Sequence, residues 1–285
     1  MRIAITGSFG FIGKHLKNAI QLNFPDYSII ELDINNGYDL TNKDSLNSIS
    51  DFDLLIHLAG KSFVPESFNM PHEYYYTNVV STLNALELCR KKNARFIFFS
   101  SYVYGEPEYL PIDENHPLKA FNPYAQTKII GEELCKGYHR DFNIPVLIFR
   151  PFNIYGPGQN ENFLIPKIIS EVKKGNTSVK LKDARPRRDF IYITDVIDAI
   201  IKACSTDFDY ETLNIASEKS YSVKELTDII KMVSENTSLQ FIFDENTVRK
   251  NEVLETVGSN KKIKSVLNWE PKVSLKKGIE LYLNS

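Results

Sequence analysis

Residues 3–13 read Ile3-Ala4-Ile5-Thr6-Gly7-Ser8-Phe9-Gly10-Phe11-Ile12-Gly13. A short apolar run leads straight into three glycines and then into an amphipathic stretch, so the order is strand, tight turn, helix. Glycine suits this turn because the backbone must bend sharply, approach a pyrophosphate without interference from a Cβ, and let the helix pack close to the sheet. The spacing is GxxGxxG rather than GxGxxG, and a purely structural turn could use it too. Asp33 supplies an independent test. It closes the second apolar run, 20 residues after Gly13, where a carboxylate can accept hydrogen bonds from ribose hydroxyls and would repel a 2′-phosphate. Together the two features point to a dinucleotide, with NAD favoured over NADP.

Working outward, the first half continues the alternation. Apolar runs at 3–6, 28–32, 53–58, 95–99 and 145–149 are separated by helical patterns near 11–22, 43–49, 73–92 and 123–141. Short runs apolar throughout, alternating with helices, specify a parallel sheet covered on both faces. The expectation is an α/β fold, a doubly wound parallel (Rossmann) sheet, followed by a smaller mixed α/β substrate-binding lobe. Gly156-Pro157-Gly158 marks the change of texture. A further apolar run at 190–193 could return to the main sheet, Ser222-Val223-Lys224-Glu225 has the form of a capping box, and Trp269-Glu270-Pro271 breaks the chain before a last short helix. The expected division is 1–154 plus 187–204 for the dinucleotide domain, and 155–186 plus 205–285 for the lobe.

The 285 residues suffice for one large core with an appendage. Lys plus Arg number 34 against 36 Asp plus Glu, so no positive excess exists to drive binding to nucleic acid. Cys89, Cys135 and Cys204 are odd in number and far apart, which fits neither a disulfide framework nor a zinc site, and the five histidines lack ligand spacing. No metal is therefore expected. No apolar run approaches a membrane span, and the N-terminus lacks the apolar region of a signal peptide. The chain reads as soluble and cytoplasmic.

Chemistry is concentrated at two places. The run 95–99 ends in Ser100-Ser101-Tyr102-Val103-Tyr104-Gly105, at the carboxyl end of a strand, where such sheets bind ligands. Next, Asn122-Pro123 opens a helix that places Tyr124 and Lys128 at i and i+4 on one face. A phenol is a poor base at neutral pH, but a neighbouring ammonium favours phenolate, so the pair makes sense for interconverting an alcohol and a ketone.

Glycine turn, strand-end serine and helical Tyr/Lys, in this order, resemble the extended short-chain dehydrogenase/reductase family, specifically its nucleotide-sugar epimerases, dehydratases and reductases. The resemblance implies cofactor contacts from Gly7, Phe9, Gly10, Phe11, Ile12, Gly13, Asp33, Asp39, Leu40, Leu58, Ala59, Gly60, Asn78, Tyr124, Lys128 and Pro151. It implies catalysis by Tyr124 as proton acceptor and donor, and by Lys128, which holds the nicotinamide ribose and lowers the tyrosine pKa. Ser100 is the expected hydroxyl on the reacting oxygen, preferred because it stands four residues before Tyr104; Ser101 is its competitor and a substrate contact. Asn153, Arg188 and Arg249 would meet the nucleotide-diphosphate sugar, with Glu252 facing the nucleotide. The run Arg185, Arg187, Arg188 would supply positive partners for a diphosphate.

Departures from the family pattern narrow the reaction. Dehydratases of this type carry an Asp-Glu or Ser-Glu pair after the catalytic hydroxyl; Ser101-Tyr102 offers no carboxylate. The resemblance therefore implies hydride transfer at C4, foremost in a 4-epimerase acting through a transient 4-keto sugar. The alternative is an NAD(P)H-dependent 4-keto-6-deoxy sugar nucleotide reductase, favoured by the short connection from Asp33 to Asp39. A homodimer through the two long helices is the expected assembly.

Overall fold

The computed structural model describes residues 1–244 and 253–285, and divides the chain into two compact units. The first comprises 1–105, 117–151 and 197–213; the second comprises 106–116, 152–196 and 214–285. This partition differs from the expected one at three points: residues 106–116 belong to the second unit, residues 152–154 do too, and the returning segment is 197–213 rather than 187–204.

In the first unit, β1 (Arg2–Thr6), β2 (Ser28–Leu32), β3 (Leu54–His57), β4 (Arg95–Phe99) and β5 (Val146–Pro151) form the expected sheet. Its order is β2-β1-β3-β4-β5, with Tyr210–Ile215 at the β5 edge, and the pairings among β1 to β5 are parallel. β3 and β5 are buried along their whole length, which is why they read as unbroken apolar runs rather than alternating ones. Helix α1 (Phe11–Asn23) buries Gly13, Leu16 and Ile20, one stripe at helical spacing. Beyond the short α2 (Val64–Asn69), α3 (Pro71–Lys92) and α4 (Pro123–Phe142) are the two long crossover helices. α4 starts where Asn122 accepts from Ala125 N at 2.7 Å with Pro123 next to it, and stops at Asn143 in the left-handed conformation. Tyr74 of α3 is buried while Tyr75 and Tyr76 face outward, so the three successive tyrosines form no platform.

The second unit holds β6 (Asn153–Tyr155), α5 (Leu164–Lys173), β7 (Ser178–Leu181) and β8 (Arg187–Tyr192). β8 does not join the main sheet. It pairs in parallel with β6 and antiparallel with β10 (Ser220–Ser222), while β9 (Tyr210–Ile215), reached through α6 (Ile193–Cys204), supplies the sixth strand. A short buried apolar run has the same appearance in either sheet, so its pairing is a long-range choice. α7 (Val223–Val233) begins with the anticipated capping box, and β11 (Gln240–Phe243), α8 (Lys261–Leu267) and α9 (Leu275–Leu283) follow. Trp269 is fully buried, its indole N–H donating to Asp195 O at 3.0 Å.

All three cysteines are free and buried. Among the described residues, no helix is long and apolar enough to cross a membrane, and no group of three or more His, Cys, Asp or Glu side chains could hold a metal ion.

Candidate active site

The glycine turn has the shape a dinucleotide requires. Gly7 adopts φ +66°, and a Cβ on Gly13 would lie 2.4 Å from Gly7 O and 2.8 Å from Ser8 Cα, both backbone atoms that cannot yield. α1 has neither a side-chain N-cap nor an acidic residue in its first turn, so its first N–H groups are left to an anion. The Ser8 hydroxyl is buried without a hydrogen-bond partner. Asp33, 8% exposed, accepts from Phe9 N at 3.1 Å through one oxygen and from Asn35 N and Nδ2 at 3.0 and 2.8 Å through the other. Its carboxylate therefore bridges the glycine turn and the loop after β2, with no basic residue between Asp33 and Leu40 to receive a 2′-phosphate. The residues present fit a dinucleotide.

Other expected contacts have local work. Asp39 Oδ1 accepts from Thr41 N and Oγ1, Leu40 packs into the core, and the Leu40 carbonyl accepts from Asn84. Asn78 is a brace rather than a free donor. Its carboxamide binds Lys61 N and O at 2.8 and 3.0 Å and Thr127 Oγ1 at 2.9 Å, fastening the Leu58-Ala59-Gly60-Lys61 loop to α4. Gly60, φ +151°, leaves room for the Asn78 oxygen, 3.0 Å from where a Cβ would stand.

At the carboxyl end of β4 the two serines part company. Ser100 Oγ donates to Glu132 Oε1 at 2.5 Å inside the protein, and Arg150 grips the same carboxylate with Nε at 3.0 Å and Nη2 at 2.6 Å. Arg150 Nη1 also reaches the Tyr104 hydroxyl at 3.1 Å. Burial works against the guanidinium charge, but the hydrogen bonds and charge of Glu132, together with Tyr104, outweigh it and hold the Arg150 pKa above its ordinary value. The Ser101 side chain, by contrast, acts on the Tyr124 phenol, favouring its ionised form. The Ser100 hydroxyl, expected to face the reacting oxygen, thus donates into a buried ion pair, and Ser101 is the serine that acts on the Tyr124 phenol.

Lys128 is buried and donates to Phe99 O at 2.7 Å, with its ammonium 5.1 Å from the centre of the Phe98 ring. Burial pulls its pKa down to about 8, partly offset by Glu132 and its neighbours. Burial pushes the Tyr124 phenol up to about 12, with the Ser101 hydrogen bond pulling the other way. The arrangement combines a neutral phenol with the serine that follows β4, in the unit that carries the glycine turn, and the phenol can give one proton to an oxygen and take it back. Glu132 was not anticipated; its signal was its position four residues after Lys128, on the same helical face.

Pro151 ends β5 in the same unit. Asn153 and Arg188 lie in the second unit, where Asn153 Nδ2 donates to Asp189 O at 2.9 Å and Arg188 Nη1 donates to the carbonyls of Arg187 and Val253. In the arginine run, Arg185 pairs with Asp183 and Arg187 with Glu225 and Glu255. Arg249 and Glu252 lie outside the described residues.

Known proteins resemble this chain over nearly its whole length. A Methanocaldococcus jannaschii protein named as a candidate UDP-glucose 4-epimerase is 34% identical, the match covering 99% of this chain and 97% of the relative. The GDP-6-deoxy-D-mannose reductase of Pseudomonas aeruginosa is 30% identical, over 99% and 96%. Among solved structures, RMD from Pseudomonas aeruginosa complexed with NADPH is 29% identical with a TM-score of 0.91, over 99% of this chain and 97% of that one. UDP-glucuronic acid 4-epimerase from Bacillus cereus, in complex with UDP-glucuronic acid and NAD, is 27% identical with a TM-score of 0.87, over 100% and 98%. The model of the GDP-mannose 4,6 dehydratase family matches residues 15–282, and the chain belongs to that family, the nucleotide-sugar epimerases, reductases and dehydratases of the extended short-chain dehydrogenase/reductase type.

Proposed function

We propose that this chain is an NAD-dependent nucleotide-sugar 4-epimerase. The observation that carries the cofactor choice is Asp33, a carboxylate fixed between the glycine turn and the next loop, where a 2′-phosphate would be repelled. The glycine turn and the start of α1 would hold the pyrophosphate, and Lys128 the nicotinamide ribose; bound there, NAD supplies reversible hydride exchange with the sugar carbon. As a phenolate, Tyr124 Oη takes the proton of the C4 hydroxyl as the 4-keto sugar forms and returns it when the ketone is reduced on its other face. Ser101 donates a hydrogen bond to the same oxygen, and Lys128 supplies positive charge close to the strand end. Elimination of water would need a further carboxylate at this place, and Glu132, bound by Arg150 and Ser100, cannot serve.

A second reading, a 4-keto sugar nucleotide reductase using NAD(P)H, is favoured by the phenol itself. With its pKa raised to about 12, Tyr124 rests protonated at neutral pH, ready to donate to a ketone. The six-residue step from Asp33 to Asp39 supports the same reading. Denaturing the purified protein and assaying the supernatant separates the two: stoichiometric NAD is expected for the epimerase. An empty supernatant, with NAD(P)H consumed only when a 4-keto sugar nucleotide is added, would establish the reductase. In either case Tyr124→Phe is expected to lower turnover by about 10²–10⁴-fold while dinucleotide affinity stays within about twofold. Full activity in that variant would refute the assignment.

A further inference from the structure

Beneath the glycine turn, buried hydrogen bonds form an unbroken run from β1 to α4. Leu58 N and Ala59 N both donate to Thr6 Oγ1 at 3.1 Å, which fills the acceptor capacity of that hydroxyl. Its one proton is therefore directed at His57 Nδ1, 2.8 Å away. Nδ1 accepts, so the ring proton sits on Nε2, which donates to Thr82 Oγ1 at 3.1 Å. Thr82 donates onward to the Asn78 carbonyl at 2.7 Å. The Asn78 carboxamide, already holding Lys61, donates to Thr127 Oγ1 at 2.9 Å, and Thr127 donates to the carbonyl of Tyr124 at 2.7 Å.

Thr6, His57, Asn78, Thr82 and Thr127 are all at most 4% exposed. The His57 ring stacks near Phe96 and Phe98, with centroids 5.9 and 6.0 Å away. Burial, and then the charge of Lys128, hold the imidazole pKa down at about 3, so the ring keeps one donor and one acceptor at any working pH. That combination is what the run needs at this point: a rigid group that accepts from one hydroxyl and donates to another.

Resting on the reading of Tyr124 as the proton-transferring group, we propose that His57 and Thr82 are positioning residues: the run they complete holds the turn that carries Tyr124 in register with the 58–61 loop beside the glycine turn. Neither residue faces the reacting atoms; both act through the backbone of Tyr124.

The test compares Thr82→Val, which keeps the shape and deletes the hydroxyl, with Thr82→Ser, which keeps the hydroxyl and deletes a methyl group. Thr82→Val is expected to raise amide hydrogen exchange in residues 58–61 and 122–128, and to lower kcat about tenfold with KM within about twofold. Thr82→Ser is expected to behave as wild type. His57→Leu, which breaks the run on both sides, should reproduce the exchange pattern. Unchanged exchange and kcat in Thr82→Val would overturn the proposal, as would equal impairment in the Ser and Val variants, which would make packing the cause. If Thr82→Val raises exchange but the wild-type protein turns over no nucleotide sugar, the function proposed above fails while the structural role of the run stands, because exchange is read without substrate.

Discussion

Both units bury carboxylates, and Glu132 of the first and Asp189 of the second are accommodated differently. In the first, Glu132 meets a full opposite charge, the two-pronged guanidinium of Arg150, with Ser100 as an additional donor. In the second, Asp189 meets only neutral donors: Ser217 N and Oγ at 2.8 and 2.7 Å on one oxygen, and Glu218 N and Gly258 N at 3.1 and 3.2 Å on the other. In the first, charge is matched by charge beneath the serines that follow β4. A carboxylate held by dipoles alone can titrate. Burial pushes Asp189 up to about 7 against its four donors.

The largest effect is expected where the pairing is complete. Arg150→Met leaves Glu132 buried without its partner and should cost about 3–5 kcal/mol in denaturant unfolding. Removing both charges, in Arg150→Met with Glu132→Leu, should recover most of that loss. If the double variant is no more stable than the single one, the pair is more than a compensated charge.

Asp189→Asn comes second. The amide group would turn toward N–H donors, costing about 1–3 kcal/mol. The pH dependence gives the sharper test. The folded pKa is raised above the unfolded value of about 3.9, so between the two the folded state holds more protons and wild-type stability falls as pH rises from about 4 to about 7. The variant has no such loss at this site, and the stability gap between the two proteins should narrow from pH 5 to pH 8. A gap independent of pH would mean that four dipoles hold the carboxylate ionised as firmly as a guanidinium does.

The smallest effect is expected at Ser100. Ser100→Ala removes one donor from Glu132 but leaves the Arg150 grip, so stability should fall by about 1–2 kcal/mol and turnover by no more than about threefold. Ser101→Ala, which strips the phenol of its partner, should lose about a hundredfold in turnover. Equal losses would return Ser100 to the reaction.

Much of this molecule was legible along the chain. The first five strands, the long helices and the Tyr124/Lys128 face follow from local periodicity, from Asn122-Pro123 as a helix start and from glycine where a Cβ cannot fit. The capping box at Ser222 and Glu225 was equally local. Less legible were features set by the partner rather than by the residue. Asp33 was readable as a carboxylate in the right place, but its bridge to Phe9 N was not. Asn78 was readable as a helical asparagine, but its use as a brace depends on Lys61 and Thr127 arriving from elsewhere in the chain.

By itself, then, the sequence determined the alternation of strand and helix, the dinucleotide turn and the phenol–ammonium pair, because each is written in residues a few positions apart whose geometry the backbone period sets. Tertiary structure alone decided that 210–215 and not 187–192 completes the sheet, that Ser100 donates to Glu132, and that Glu132 lies buried against Arg150. Those outcomes depend on contacts between distant segments, where two neighbouring candidates are chemically alike and only the packing around them tells them apart.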